Sequence, residues 1–347
     1  MKKFILLIIA CSSVLVVVTP YWVANRKPNE KNGFVRRIIS DKLTHINTTT
    51  VQSAHLYFAG SNHHYVYLAK STAPLQLIEL NQSDYRVIHL QNPFDPILSE
   101  SEIQLDSPYV YVSDLKRHKI FKGGIDTWQL TEEVVQNGFY SAYVPISNGS
   151  LALRVFSDDS SQYVLAKRNH QSTFTPNGTS LLEKQIDGFF CTDGMLRYDN
   201  SRKLLAYIYF YRNQFICADT NLNLVYRGKT IDTTHYARIK VGKLKNASML
   251  ASPPFIVNRR AIVERGRLYI NSTLKGDNEN VTTFNVSDVI DVYDLSTGTY
   301  EYSFYIPRFQ NIRLRHFTVN GDNLYALHDA FLNVYSLKPD SALFSME

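Results

Sequence analysis

Three short clusters in this chain combine residue types that can hold a metal or move a proton. Asn62-His63-His64 sets two imidazoles side by side. Adjacent strand residues point to opposite faces, and Gly60-Ser61 just before them signals a turn, so an exposed turn is expected rather than a ligand pair. Asp158-Asp159-Ser160-Ser161 lies between two strand-like stretches and reads as a solvated hairpin loop. Gly276-Asp277-Asn278-Glu279-Asn280 is rich in the oxygen donors that suit Ca²⁺. It lacks EF-hand spacing, so a surface loop is expected there. Cys191 and Cys217 sit in Phe-Phe-Cys and Phe-Ile-Cys contexts and are placed on neighbouring strands of one unit. There a disulfide and a pair of buried free thiols are equally open. No C-x-x-C, G-x-S-x-G elbow, H-E-x-x-H helix or glycine-rich phosphate loop occurs, so the zincin, serine-hydrolase and nucleotide-binding classes lack their local signatures.

The elements that would position such residues are strands. A short aromatic and aliphatic strand followed by a polar turn and a second strand recurs from Tyr65, Tyr109, Leu151, Leu205, Leu268 and Leu324, at intervals of 42 to 63 residues. A period of about 40 to 50 residues with several strands per unit is the mark of a β-propeller blade. The composition agrees: 23 Tyr and 19 Phe against 15 Gly, with 44% hydrophobic residues, is enough to bury a large core. The best-formed copy runs through Val289-Ile-Asp-Val-Tyr-Asp-Leu and a Ser-Thr-Gly turn to Tyr300-Glu-Tyr-Ser-Phe-Tyr-Ile. In it Ile290, Val292 and Leu295 are expected between sheets, Asp291 and Asp294 towards the other face or a turn, and Glu301 in solvent. The last copy is short of a fourth strand, which the segment before the first blade is expected to supply, since an open ring leaves sheet edges exposed. Gly33 to Thr50 reads either as that strand or as a helix on the propeller edge.

The N-terminus is organised differently. Lys2-Lys3 precede an uncharged stretch from Phe4 to Ala24, long enough to cross about 30 Å of hydrocarbon, with Tyr21-Trp22 and Arg26-Lys27 at its end. Three fates compete: an uncleaved signal anchor, which the length favours; a lipoprotein, because Ile8-Ile9-Ala10-Cys11 resembles a lipobox and would be lipidated at Cys11; and a cleaved signal peptide. Each sends the rest of the chain out of the cytoplasm, to the periplasm or the cell surface, with the membrane as a partner through residues 4–24. The expected division is an anchor or signal over 1–24, a tether over 25–43 and a six-bladed, all-β propeller over 44–347. The net charge of +6 comes partly from the ends of the apolar run, and no basic stripe interleaved with aromatics marks a nucleic-acid partner.

Together, the apolar N-terminus and steps such as Gly266 to Ile270 and Val292-Tyr-Asp-Leu-Ser-Thr-Gly298 resemble the six-bladed, TolB-like β-propeller proteins common in the Bacteroidetes, over roughly residues 44 to 340. The resemblance implies fold and export and carries no catalytic set. Some six-bladed propellers are metal-dependent lactonases or esterases that hold Ca²⁺ on the axis. The acids and amides at strand ends that would have to converge for such a site are Asp114, Asp187, Asp193, Asn258 and Asp322, and their plainer role is in turns and strand ends. The leading expectation is a binding module for an envelope protein, a peptide or a glycan, without a cofactor. A Ca²⁺-dependent hydrolase and a structural subunit of an envelope complex are the alternatives.

Overall fold

The protein is described from a computed structural model covering residues 31–339, apart from 52, 54, 63, 82–84, 95, 98–100, 136–138, 147–148, 170–174, 177–180 and 245–246. The apolar segment 4–24 and Cys11 lie outside these residues. Among the described residues no helix is long and apolar enough to cross a membrane.

Twenty-six strands form six four-stranded antiparallel sheets and one small hairpin among the described residues. β1 (Leu43–Thr50) opens the domain. Blade 1 holds β2 (Leu56–Ser61), β3 (Val66–Lys70), β4 (Gln76–Leu80) and β5 (Tyr85–His89). Blade 2 holds β6 (Ser101–Asp106), β7 (Tyr109–Asp114), β8 (Lys119–Gly124) and β9 (Gln129–Val135). Blade 3 comprises β10 (Tyr140–Ile146), β11 (Ser150–Ser157), β12 (Gln162–Arg168) and the brief β13 (Thr175–Pro176). Blade 4 is β14 (Gly194–Asp199), β15 (Leu204–Tyr209), β16 (Gln214–Asp219) and β17 (Leu224–Lys229). The hairpin of β18 (Val241–Leu244) and β19 (Ala247–Leu250) follows, and lengthens the interval before blade 5. Blade 5 contains β20 (Asn258–Glu264), β21 (Arg267–Ser272), the short α1 (Val281–Asn285), β22 (Ser287–Asp294) and β23 (Tyr300–Pro307). Blade 6 is β24 (His316–Asn320), β25 (Asn323–His328) and β26 (Phe331–Leu337), completed by β1, which pairs antiparallel with β26 from Leu43↔Leu337 to Thr50↔Phe331. The closing strand is therefore supplied by Gly33 to Thr50, and the helix alternative for that segment does not occur.

The six recurring sequence segments all fall on the second strand of a blade. Those strands are sandwiched between neighbouring sheets, so both faces must be apolar. On β15, Leu205 and Tyr207 pack towards blade 3 while Ala206 and Ile208 pack towards blade 5. Six clusters of buried residues, each drawing on two adjacent blades, fill the successive gaps of the ring, and the one joining Leu68 and Leu80 to Leu327 and Val334 closes it between blades 1 and 6. In blade 5, Ile290 and Val292 face blade 6, but Leu295 joins Tyr293 on the blade 4 side. The turn after Asp294 continues the strand's alternation, so residue 295 shares the parity of 293.

The tether ends in a clasp. Arg36 is buried and donates to both Asp291 carboxylate oxygens at 2.7 and 3.0 Å, to the Leu274 carbonyl at 2.8 Å and to Glu279. Burial alone would lower its pKa, but the two carboxylates outweigh that and hold it above the ordinary value. Asn32 donates its amide to Asp277 at 2.7 Å, and Arg36 and Asn278 bond reciprocally through their main-chain and side-chain groups. The oxygen-rich loop Gly276 to Asn280, expected at the surface, is thus the seat of the N-terminal strap. Its side-chain oxygens accept from the strap, Glu279 from the Arg36 guanidinium and Asp277 and Asn278 from main-chain amides, and Glu279 is buried.

A buried histidine bears on ring closure. His328 accepts from the Asn333 amide at 3.0 Å, and Asn333 accepts from Thr48 of β1 at 2.6 Å. Burial lowers the His328 pKa from 6.5 to about 4. Below about pH 6.5 the unfolded chain takes up this proton before the folded one does, so the stability held above that pH is lost as the pH falls towards 4. One proton corresponds to at most about 1.4 kcal/mol per pH unit. In urea titrations at pH 7, 5.5 and 4.5, His328→Gln should show a shallower acid decline than the parent, and parallel profiles would remove His328 from the account.

Candidate ligand-binding site: the axial channel

The first strands of the six blades touch one another in ring order, so β2, β6, β10, β14, β20 and β24 surround the axis. Each begins on one face of the disc and ends on the other. The face where they begin also carries the turns between second and third strands, including the Arg36 clasp. The opposite face carries the turns between first and second strands.

At that opposite face lies a pocket of about 470 Å³, lined by Ser61, Asn62, Asp106, Ser107, Asn200 and Arg265 among others, from five of the blades. It shares Leu105, Asp106, Tyr198 and Asn200 with a deeper axial cavity of about 240 Å³. The rim is stitched by its own polar groups. Asp199 accepts from Ser201 at 2.8 Å and from the Gly266 amide at 2.5 Å, tying blade 4 to blade 5. Asn320 donates to the Asn62 carbonyl at 2.8 Å, tying blade 6 to blade 1. Burial raises the Asp106 pKa, and Lys203 partly opposes that.

Deeper in, alternate residues of the inner strands face the axis: Glu102 and Gln104 on β6, Arg197 on β14, Arg260 and Ile262 on β20, His316 and Thr318 on β24, with Phe58 and Val144 supplying apolar wall. Arg197 donates to the Ala261 and Leu196 carbonyls at 2.7 and 2.8 Å, and Arg260 to the Arg315 and Arg259 carbonyls at 3.2 and 3.0 Å. Burial lowers the pKa of both; Glu102 opposes this at Arg197, and like-charged neighbours add to it at each. Glu102 accepts from Gln104 at 2.9 Å, and its pKa is raised by burial against the pull of Gln104 and Arg197. His316 is pushed down from 6.5 to about 3 by burial and by Arg260, Arg315 and Arg197, so it is a neutral imidazole at physiological pH.

The five acids and amides considered for an axial metal do not meet here. Asp114 ends β7 and caps the following turn, accepting from Lys116 and Arg117 at 3.1 and 3.0 Å. Asp187 accepts from Phe190 and Cys191 at 3.0 and 2.8 Å in the loop before β14. Asp193 lies 3.6 Å from Arg154, and burial raises its pKa. Asn258 donates to the Tyr209 and Arg212 carbonyls at 2.9 and 3.1 Å, stapling two blades. Asp322 lies in the turn between β24 and β25, on the far face from Asp193 and Asn258. Among the described residues no three His, Cys, Asp or Glu side chains group as metal ligands. In the inner cavity the carboxyls Glu102 and Asp106 share the lining with two guanidinium groups, a mixed set unlike the all-oxygen shell a calcium ion takes.

Cys191 and Cys217 are both buried free thiols. Cys217 is on β16 against the Leu295 carbonyl. Cys191 is in the loop before β14, where its thiol donates to the Asp187 carbonyl at 2.6 Å, so the two do not occupy neighbouring strands. Asn62 accepts from the His64 and Tyr65 amides at 2.9 and 2.8 Å, which makes that cluster the expected turn; His63 is outside the described residues. Asp158 and Asp159 are exposed in the β11–β12 turn, also as expected.

These features define a six-bladed β-propeller with a polar axial channel. No family model matches the chain, and no curated protein does. Solved structures do. A putative exported protein from Bacteroides fragilis aligns at a TM-score of 0.52 and 12% identity over 87% of this chain and 100% of that one. A DUF4221 family member from Bacteroides vulgatus gives 0.51 and 12% over 85% and 97%. Virginiamycin B lyase from Staphylococcus aureus gives 0.50 and 10% over 84% and 99%. At these identities the likeness is one of fold, and it includes Bacteroides propellers of the kind the sequence resembles.

Proposed function

We propose that this protein is an extracytoplasmic binding module that seats a peptide or glycan at its axial mouth. The observation that carries the reading is the pocket of about 470 Å³ where turns from five blades converge on a rigid ring, with Asn, Ser, Asp and Arg side chains set around it. The strap from Asn32 to Arg36 docks on the opposite face, so a tether leading to residues 4–24 would leave the mouth unobstructed. Export is supported by that apolar segment and by the likeness in fold to the putative exported protein from Bacteroides fragilis.

Peptide and glycan arrays probed with the labelled protein test the proposal. Asn200 is exposed on the mouth, and Asn200→Trp should weaken array binding at least about tenfold, or some 1.4 kcal/mol, with the thermal midpoint unchanged. Array binding indifferent to that bulk would place the ligand elsewhere on the ring.

A further inference from the structure

The inner cavity has a charge pattern that the mouth does not. Arg197 and Arg260 enter it from adjacent blades, and their hydrogen bonds go to main-chain carbonyls, with no carboxylate among the described residues at ion-pairing distance from either. Both residues are half-buried, and guanidinium groups withdrawn from water are ordinarily paired. Two carboxyls line the cavity, Glu102 and Asp106; Glu102 interacts with Arg197 only across a gap, and burial raises the pKa of both acids. His316 stays neutral and adds no charge. Both guanidinium groups thus reach the cavity without a carboxylate bonded to them, in surroundings that screen charge less than water does. The cavity also has apolar wall: Phe58 on β2, across the ring from β14, with Val144 on β10 and Ile262 on β20. The cavity measures about 240 Å³, below the roughly 300–1,000 Å³ of drug-sized sites.

We propose that the axial cavity binds a small amphipathic monocarboxylate, its carboxylate between Arg197 and Arg260 and its apolar body against Phe58, Val144 and Ile262. Each guanidinium presents a planar fork of donors that matches a carboxylate. One carboxylate suits the two forks, whereas a phosphate dianion would bring a second charge towards Glu102 and Asp106 and no apolar body for Phe58, Val144 and Ile262. This rests on the binding reading above in one respect: the ligand reaches the cavity through the mouth, with which it shares Leu105, Asp106, Tyr198 and Asn200.

The test uses the full-length protein in detergent with sodium benzoate, acetate and phosphate at constant ionic strength, and chloride as the reference. Calorimetric titration should give saturable benzoate binding, weaker acetate binding and no preference for phosphate. Arg260→Met and Arg197→Met should each weaken benzoate at least about tenfold. Because both arginines are only half-buried and neither is ion-paired, both variants should keep the thermal midpoint measured in chloride, and Arg260→Lys should recover part of the affinity. Benzoate binding unchanged in both Met variants, or phosphate binding as tightly as benzoate, would overturn the proposal. The two readings fail separately. Array binding lost in Asn200→Trp without any benzoate site removes the channel and leaves the mouth, and benzoate binding without array ligands does the reverse.

Discussion

Arg36→Met should lower the unfolding free energy by about 3–5 kcal/mol, because it leaves Asp291 and Glu279 buried without their cation. The side chain is of similar length, so little of the loss reflects packing. Urea denaturation measures it, and a second variant separates charge from shape. If Asp291 and Glu279 are replaced by Leu together with Arg36→Met, much of the loss should return, since a buried ionic cluster is often no better than well-packed apolar groups. Deleting residues 1–27 should leave the midpoint intact, because the clasp begins at Asn32. A shift below about 1 kcal/mol in Arg36→Met would mean that the strap is not part of the cooperative unit.

Val292→Asp should cost several kcal/mol, the scale for burying an unpaired carboxylate. Val292 is fully buried, sits opposite Tyr269 and Tyr302 in its sheet, and packs into the gap between blades 5 and 6. Glu301 is no neutral comparison for it. It accepts from Arg267 at 2.9 Å and is largely shielded, so Glu301→Lys would set cation against cation. Asp159, exposed in a turn, serves better, and Asp159→Lys should stay within about 0.5 kcal/mol. Equal midpoints for Val292→Asp and Asp159→Lys would deny the packing of β22 between sheets.

The blades were legible because second strands are buried on both faces, as at Tyr109 to Asp114 and Leu204 to Tyr209, and so print continuous apolar runs. Ring closure followed from the shortage of a strand after Leu337. The channel was not legible from the same logic. Its residues occupy alternate positions of the first strands, where Glu102, Gln104, Arg197 and Arg260 look like the solvated side of ordinary edge strands. A search for acids at strand ends passed over them, because ends cap turns, as Asp114 and Asp187 do. A comparison of the charged positions facing inward across all six first strands would have found the two arginines. The clasp was illegible for another reason: Arg36 and Asp291 are separated by 255 residues, and nothing local links them.

The clasp also has a mechanical meaning. Tension applied to the chain ahead of Asn32 reaches Arg36 before it reaches Leu43, and the guanidinium is held by two carboxylates and a carbonyl of blade 5. The load therefore passes into the side of an already complete sheet. The seam between β1 and β26, whose parting would open the ring, is relieved of it, so the molecule can be held by its N-terminus without being unzipped by it.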